Sequence, residues 1–302
     1  ITCRDWSSDV CSSDLDTLIQ HKHNKCSGGS AANTIIAFAK FGGRAAYKTV
    51  LGNDDFGKFY KQEFDSLGIE LVAPLLDEHP TGTCLVLITP DSERTMKTAL
   101  GATGYFNSDL LDYDVIAKSK WIYLEGYKFT SPTSTDALYD AVNIAHKYKT
   151  KIALTFSDVF IVNSFYDKLF GIVKQSDLIF CNEPEANAFA QKDNIEDSFN
   201  YLCEICPNVV VTMNDKGSKV FWDGSRYEIP AYAAKPIDTT GAGDMYAGGF
   251  LYGIIHQSNP IFAGHLGSYS AAKVVSQLGA RLNEDHIRSE EHTSELQSRQ
   301  VI

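Results

Sequence analysis

Between Trp121 and Met213 the chain alternates two kinds of segment, and that alternation leaves few folds open. Trp121 to Leu124, Lys151 to Phe156, Asp177 to Cys181 and Val209 to Met213 are short, nearly continuous apolar runs. Thr135 to Tyr148 and Phe165 to Lys174 lie among them with helical spacing. Uninterrupted apolar strands need cover on both faces, so the pattern predicts an α/β fold with a parallel sheet between layers of helices. Ligands of such sheets gather at the C-terminal ends of the strands. Polar residues fall there: Gly126 and Tyr127 after the first run, Ser157 and Asp158 after the second, Asn182 to Glu185 after the third. Leu71 to Leu100 reads differently. Leu71 to Leu76, Cys84 to Thr89 and Thr95 to Leu100 are extended runs parted by Pro80-Thr81-Gly82 and Pro90-Asp91-Ser92. Antiparallel strands joined by turns are predicted there.

The chemistry centres on Asp238-Thr239-Thr240-Gly241-Ala242-Gly243-Asp244, which leads into an apolar helical run from Met245 to His256. Two glycines around an alanine leave backbone N–H groups bare at the start of a helix, where anions are attracted. A carboxylate beside such an anion is repelled unless it has a task. Accepting a proton from a hydroxyl that attacks a phosphoryl group is that task. The alternative is a glycine-rich turn that only starts a buried helix. No G-x-x-x-x-G-K-[ST] loop is present.

A second glycine pair occurs in Cys26-Ser27-Gly28-Gly29-Ser30-Ala31-Ala32-Asn33, ahead of a helical run. It permits either close approach of a ligand or close helix packing. Gly52-Asn53-Asp54-Asp55-Phe56-Gly57 precedes a helix predicted from Lys58 to Leu67, with Asp54 or Asp55 as its N-cap. Asn182-Glu183-Pro184-Glu185 offers hard oxygen donors suited to Mg²⁺, and its acids also suit the first turn of a helix. Cys203-Glu204-Ile205-Cys206 is a lone pair of thiols, read as core or loop cysteines. His21 and His23 do not share a helix face and have no third ligand nearby.

These motifs resemble the signatures of the ribokinase, or PfkB, family of sugar and nucleoside kinases. Asp238 to Asp244 matches every fixed position of its D-T-x-G-A-G-D pattern, and Gly28, Gly29 and Asn33 match G-G-x-x-x-N. Gly52, Asp54 and Gly57 fit G-x-D-x-x-G, and Asn182 and Glu185 fit N-x-x-E. Thr212 and Gly217 fit T-x-G-x-x-G, with Asn214 in place of its first glycine; asparagine tolerates the left-handed backbone that such a glycine adopts.

The resemblance implies a three-layer α/β/α, Rossmann-like core with a β-sheet lid over about residues 71–100. It implies transfer of a phosphoryl group from ATP to an alcohol. Asp244 is then the base, and Gly241, Ala242 and Gly243 form the anion hole. Gly28, Gly29 and Asn33 hold the acceptor. Asn182, Glu185, Thr212, Asn214, Gly217 and Thr239 serve the nucleotide, with Glu185 reaching Mg²⁺ through water. A monovalent cation is a further candidate cofactor. Within the family the nearest likeness is to nucleoside kinases acting on adenosine in purine salvage. Ribose or fructose kinases are the alternative, and a non-catalytic binding relative or an inactive fragment is an alternative of another class. Tyr127, Phe129 and Phe156 are candidates to stack on a purine, and His265 and Lys273 to line an adenine pocket. Arg94 is the one arginine of the lid segment and either reaches substrate or sits in a solvated turn.

The chain carries 27 Lys+Arg against 38 Asp+Glu, an acidic balance that argues against nucleic acid as a partner. It has no apolar run of membrane-spanning length and no secretory leader pattern. A cytoplasmic small-molecule enzyme, monomeric or homodimeric, is expected. Residues 1–15 and 288–302 lack periodicity and resemble translated sequencing-adaptor DNA, one DNA and its complement accounting for both. They are expected to be non-native tails around a kinase domain of 16–287. The family's first β-strand and a sugar-binding aspartate are then missing, which would leave two central strands without a partner. Outside the tails five cysteines remain, an odd number typical of reduced thiols.

Overall fold

The structure is a computed structural model that describes residues 25–88 and 94–282. Both tails, the helical stretch from Asp16 with His21 and His23, the turn at Pro90 to Ser92, the side chain of Arg94 and the place of a first strand lie outside the described residues.

Helix α1 (Ser30–Lys40) is followed by a broken strand, β1 (Ala46–Lys48) and β2 (Leu51–Gly52). Helix α2 (Asp55–Ser66) leads to a second broken strand, β3 (Glu70–Val72) and β4 (Leu75–Leu76). β1 pairs with β3, and β2 with β4, in parallel. The antiparallel pairing predicted for Leu71 to Leu76 is therefore corrected. Returning through a helix brings a strand back in its original direction, and side-chain alternation alone carries no sign of it. Pro74 has no N–H to donate and falls at the break, while its carbonyl still accepts from the Leu51 N–H at 3.1 Å.

α2 starts at Asp55 because Asp54 caps it, accepting from the Gly57 N–H at 2.8 Å. The same carboxylate accepts from the N–H and the hydroxyl of Thr81, each at 2.7 Å. Burial works against its charge, but these bonds outweigh it and hold its pKa below the ordinary value. Strands β5 (Thr83–Ile88) and β6 (Arg94–Ala99) form the antiparallel hairpin of the lid, from Thr83 opposite Ala99 to Ile88 opposite Arg94.

The large unit then runs through α3 (Tyr113–Lys118), β7 (Trp121–Glu125), α4 (Pro132–Tyr148), β8 (Lys151–Thr155), α5 (Val159–Ser164) and α6 (Tyr166–Val173). It continues with β9 (Leu178–Asn182), α7 (Glu183–Ala190), α8 (Ile195–Ile205), β10 (Asn208–Thr212), β11 (Ser218–Trp222) and β12 (Ser225–Ile229). Helices α9 (Ala242–Gln257) and α10 (Pro260–Val275) complete it. The strands lie in the order β12-β11-β10-β9-β8-β7, parallel from β7 to β10 and antiparallel thereafter. Among the described residues β7 is an outer strand of this sheet, and β1 with β3 forms a separate one.

Alternate residues of the central strands face two cores. Ile152, Leu154, Ile179, Val209 and Val211 pack under α4 to α8. Ala153, Leu178, Phe180 and Val210 pack under α9, joined by Phe38 of α1 and Ala263 of α10. Helices thus cover both faces, as the apolar runs predict. α9 touches its neighbours almost backbone to backbone. A Cβ at Gly248 would stand 2.6 Å from the Thr34 carbonyl of α1, and one at Gly253 2.6 Å from Ala263 Cα of α10. No helix of the described residues is long and apolar enough to cross a membrane.

Two further elements have local signals in the sequence. Asp223-Gly224 joins β11 to β12 with φ of 49° and 77°, the left-handed pair that a two-residue hairpin needs. Asn194 caps α8 by accepting from the Asp197 N–H. Cys203 lies on that helix, and the buried Cys206 thiol donates to the carbonyls of Ser176 and Asn208.

Candidate active site

α9 begins at Ala242, three residues before the predicted start, so Gly243 and Asp244 belong to its first turn. Its N-cap, Gly241, has a φ of 79° and offers no side chain to the open N–H groups. A Cβ on Gly241 would meet Ala280 Cβ at 2.7 Å, so glycine is required there by packing as well as by backbone angle. Gly243 is the opposite case: a Cβ on it would meet nothing within 4 Å. The first turn of α9 therefore has no side-chain cap and is open at Gly243 among the described residues. Asp238 is buried and braces the turn, accepting from the N–H groups of Thr240 and Gly279, each at 2.9 Å. Thr239 accepts from the Ala242 N–H at 3.4 Å.

The close approach allowed by Gly248 places the first turns of α1 and α9 side by side. Asp244 accepts from the Ser30 hydroxyl at 2.7 Å and from the Asn33 side-chain amide at 2.9 Å. Asn33, predicted to hold the acceptor, orients the carboxylate, and its buried Oδ1 has no partner among the described residues. A hydroxyl donor entering beside Asp244 would satisfy that oxygen. Ser30 was not predicted as a site residue; its only local signal is a hydroxyl in the first turn after two glycines. Gly28 and Gly29 are exposed, and Gly29 has a φ of 108°. Glu125, at the end of β7, accepts from the Ala31 N–H at 3.0 Å and so fixes the start of α1.

The remaining candidates stand at the strand ends. Asn182 and Glu185 form a reciprocal cap on α7. Glu185 N–H donates to Asn182 Oδ1, while the Glu185 carboxylate accepts from the Asn182 N–H and side-chain amide. Burial pushes the Glu185 carboxyl up to about 7; the charges of Asp158 and Asp244 add to that, and the Asn182 bonds oppose it. Thr212 lies beside Asn182 in the parallel register of β10 on β9. Asn214 adopts the predicted left-handed conformation, with φ of 53°. Gly217 has φ of 90°, and a Cβ there would stand 2.0 Å from the Ile229 carbonyl.

Ser157 also holds a left-handed backbone, φ 74°, and its hydroxyl accepts from the Gly126 N–H at 2.9 Å, which sets the turn carrying Tyr127. Burial raises the Tyr127 hydroxyl pKa, and so do the carboxylates of Asp158, Asp244, Glu185 and Glu125 around it. Tyr127 is 37% exposed. Phe129 and Phe156 are instead 1% and 0% exposed in the core under α4 to α8, which removes them as stacking partners for a purine. Lys273 lies over the Tyr269 ring at 5.3 Å, and His265 meets Tyr232 edge-on.

The chain's own groups fit Mg²⁺ and a nucleotide phosphate. The turn of α9, which no side chain caps, suits an anion, and no atom of the described residues lies within 4 Å of a Cβ placed on Gly243. Glu185 and Asp158 are hard oxygen donors whose mutual charge a cation would offset. Among the described residues no three His, Cys, Asp or Glu side chains converge as a direct metal cage.

Comparison with known proteins agrees with this geometry. Adenosine kinase of Saccharomyces cerevisiae is 28% identical over 291 residues, covering 90% of this chain and 85% of the relative. The crystal structure of adenosine kinase from Sinorhizobium meliloti superposes with a TM-score of 0.88 at 31% identity, covering 93% of this chain and 88% of that one. A probable sugar kinase protein from Rhizobium etli gives the same TM-score at 29% identity, covering 94% and 88%. The pattern of the "pfkB family carbohydrate kinase" matches residues 1–287. The chain belongs to the pfkB family of carbohydrate kinases and is an ATP-dependent phosphotransferase.

Proposed function

We propose that the protein transfers the γ-phosphoryl group of ATP to the 5′-hydroxyl of adenosine, giving AMP and ADP. The observation that carries the catalytic reading is the placement of Asp244 between Ser30 and Asn33 at the mouth of the uncapped α9 turn. Asp244 accepts the proton of the primary hydroxyl; the freed oxygen bonds to the γ-phosphorus, and the bond to the bridging oxygen breaks as ADP leaves. The N–H groups of Ala242, Gly243 and Asp244 face the charge on the transferring group. Gly28, Gly29 and Asn33 hold the acceptor. Thr212, Asn214, Gly217 and Thr239 shelve the nucleotide. Mg²⁺, held through water by Glu185 beside Asn182, would neutralise phosphate charge when bound.

Likeness to adenosine kinases from two kingdoms supports adenosine as acceptor. The equal structural score of the Rhizobium etli sugar kinase protein favours a second reading, a sugar as acceptor. ADP release from Mg·ATP with adenosine, ribose and fructose in separate reactions decides between them. Turnover with adenosine alone supports the first reading; turnover confined to sugars overturns it.

The Glu185 carboxyl gives a prediction that needs no acceptor. Its folded pKa, about 7, lies above the ordinary 4.5. Burial therefore favours the protonated form, and the associated stability is present below about 4.5 and lost as pH rises through 7. The metal-free protein is expected to lose on the order of 3 kcal/mol between those limits. Glu185→Gln will flatten that pH dependence, and Mg²⁺ will raise the melting temperature of the parent at pH 8 but not of the variant. Thermal melts with and without a chelator measure both; parallel pH curves for the two proteins would refute the assignment.

A further inference from the structure

Ser27, the residue before the glycine pair, is 2% exposed and held at both of its peptide groups. Its N–H donates to Glu63 Oε2 at 2.7 Å. Its carbonyl and hydroxyl accept from the guanidinium of Arg281, which also donates to Glu63 Oε1. Gly28 is held as well, its carbonyl accepting from the Tyr60 hydroxyl at 3.1 Å. Glu63 and Tyr60 sit three apart on α2 and so share a face. Arg281 comes from the far end of the chain, with its side chain 13% exposed. The segment that carries it also touches the anion turn. Gly279 N–H donates to Asp238, and Ala280 lies against Gly241. Three consecutive residues thus contact the phosphoryl side and the acceptor side of the cleft at once.

We infer that Arg281, paired with Glu63, is a positioning residue that fixes the Ser27–Gly29 loop at its working distance from the anion turn. The loop itself cannot set that distance, because two adjacent glycines leave its backbone free. The guanidinium can, since its planar fork serves a carboxylate and a peptide carbonyl together. A lysine keeps the charge but lacks the fork. Neither group touches the reacting atoms, so the pair acts through the loop. The inference rests on the reading of Gly28 and Gly29 as acceptor-binding.

The test is steady-state kinetics with whichever of adenosine or ribose turns over, on Arg281→Gln, Arg281→Lys, Glu63→Gln and Gly28→Val. Removing the fork is expected to raise the KM of the acceptor about tenfold while the KM of ATP stays within about twofold. Arg281→Lys should recover part of the loss, and Glu63→Gln should fall between. In the parent, slow amide exchange at Ser27 should accelerate in Arg281→Gln. Gly28→Val examines the underlying reading separately, because a Cβ there meets no atom of the described residues within 4 Å and the added side chain would stand where the acceptor is proposed to lie. If Gly28→Val leaves the acceptor KM unchanged, the loop reading fails and the inference with it. If Gly28→Val raises it and the Arg281 variants do not, or if they move both KM values equally, the inference alone fails. Should Arg281→Gln not fold, the lysine variant carries the same comparison.

Discussion

Asp244→Asn is expected to lower kcat about a thousandfold, in the middle of the range that a positioned general base contributes. Asparagine matches aspartate in shape and keeps an oxygen for the Ser30 hydroxyl, which lies 2.7 Å from the carboxylate. It offers no site for the acceptor's proton. Its own amide would meet the Asn33 amide donor to donor, a local conflict that a turn of the Asn33 side chain relieves by presenting Oδ1, which has no partner in the parent. Melting temperature and the KM of ATP should therefore change little. Single-turnover rates separate the chemical step from product release. A variant within tenfold of the parent in that step would show that the proton leaves by another route.

Gly243→Ala should produce opposite effects on stability and on activity. Gly243 lies in the first turn of a helix, where alanine is the better residue by up to about 1 kcal/mol. The added methyl meets no protein atom within 4 Å. The melting temperature should rise by about 2 °C, the shift such a gain gives in a chain of this size. The same methyl would occupy the space before the open amides, and kcat should fall about a hundredfold, comparable to losing one oxyanion donor. Calorimetry and initial rates on one preparation are sufficient. A stabilised variant with full activity would mean that the phosphoryl group does not approach this turn.

The pairing of these two residues shows what was legible in the sequence. Asp238 to Asp244 is read locally, because a turn and a helix start lie within seven residues. Even so, composition could not assign the two acids. Asp238 is a buried brace for two peptide N–H groups, whereas the half-buried Asp244 accepts from the side chains of Ser30 and Asn33 on α1. The central sheet was legible because apolar runs covered on both faces have one common solution. The parallel ribbon of β1 to β4 was not, since alternation fixes which face is buried and says nothing of a partner's direction. Phe129 and Phe156 look alike to Tyr127 in sequence, and only packing separates the two buried rings from the exposed one. Ser30 left only a hydroxyl after two glycines, and Arg281 left no pattern. Their partners are 214 and 218 residues away, and no spacing rule reaches so far.

That separation has a consequence for the chain as it is made. Synthesis from the N-terminus delivers Ser30 and Asn33 early and Asp244 only after the whole central sheet, and closing so long a loop is slow compared with local structure. A nascent chain halted before Gly241 carries Ser30 and Asn33 but neither the glycine turn of α9 nor Asp244. With Asp244 as the proposed base, an unfinished chain on the ribosome does not spend ATP until α9 docks on α1.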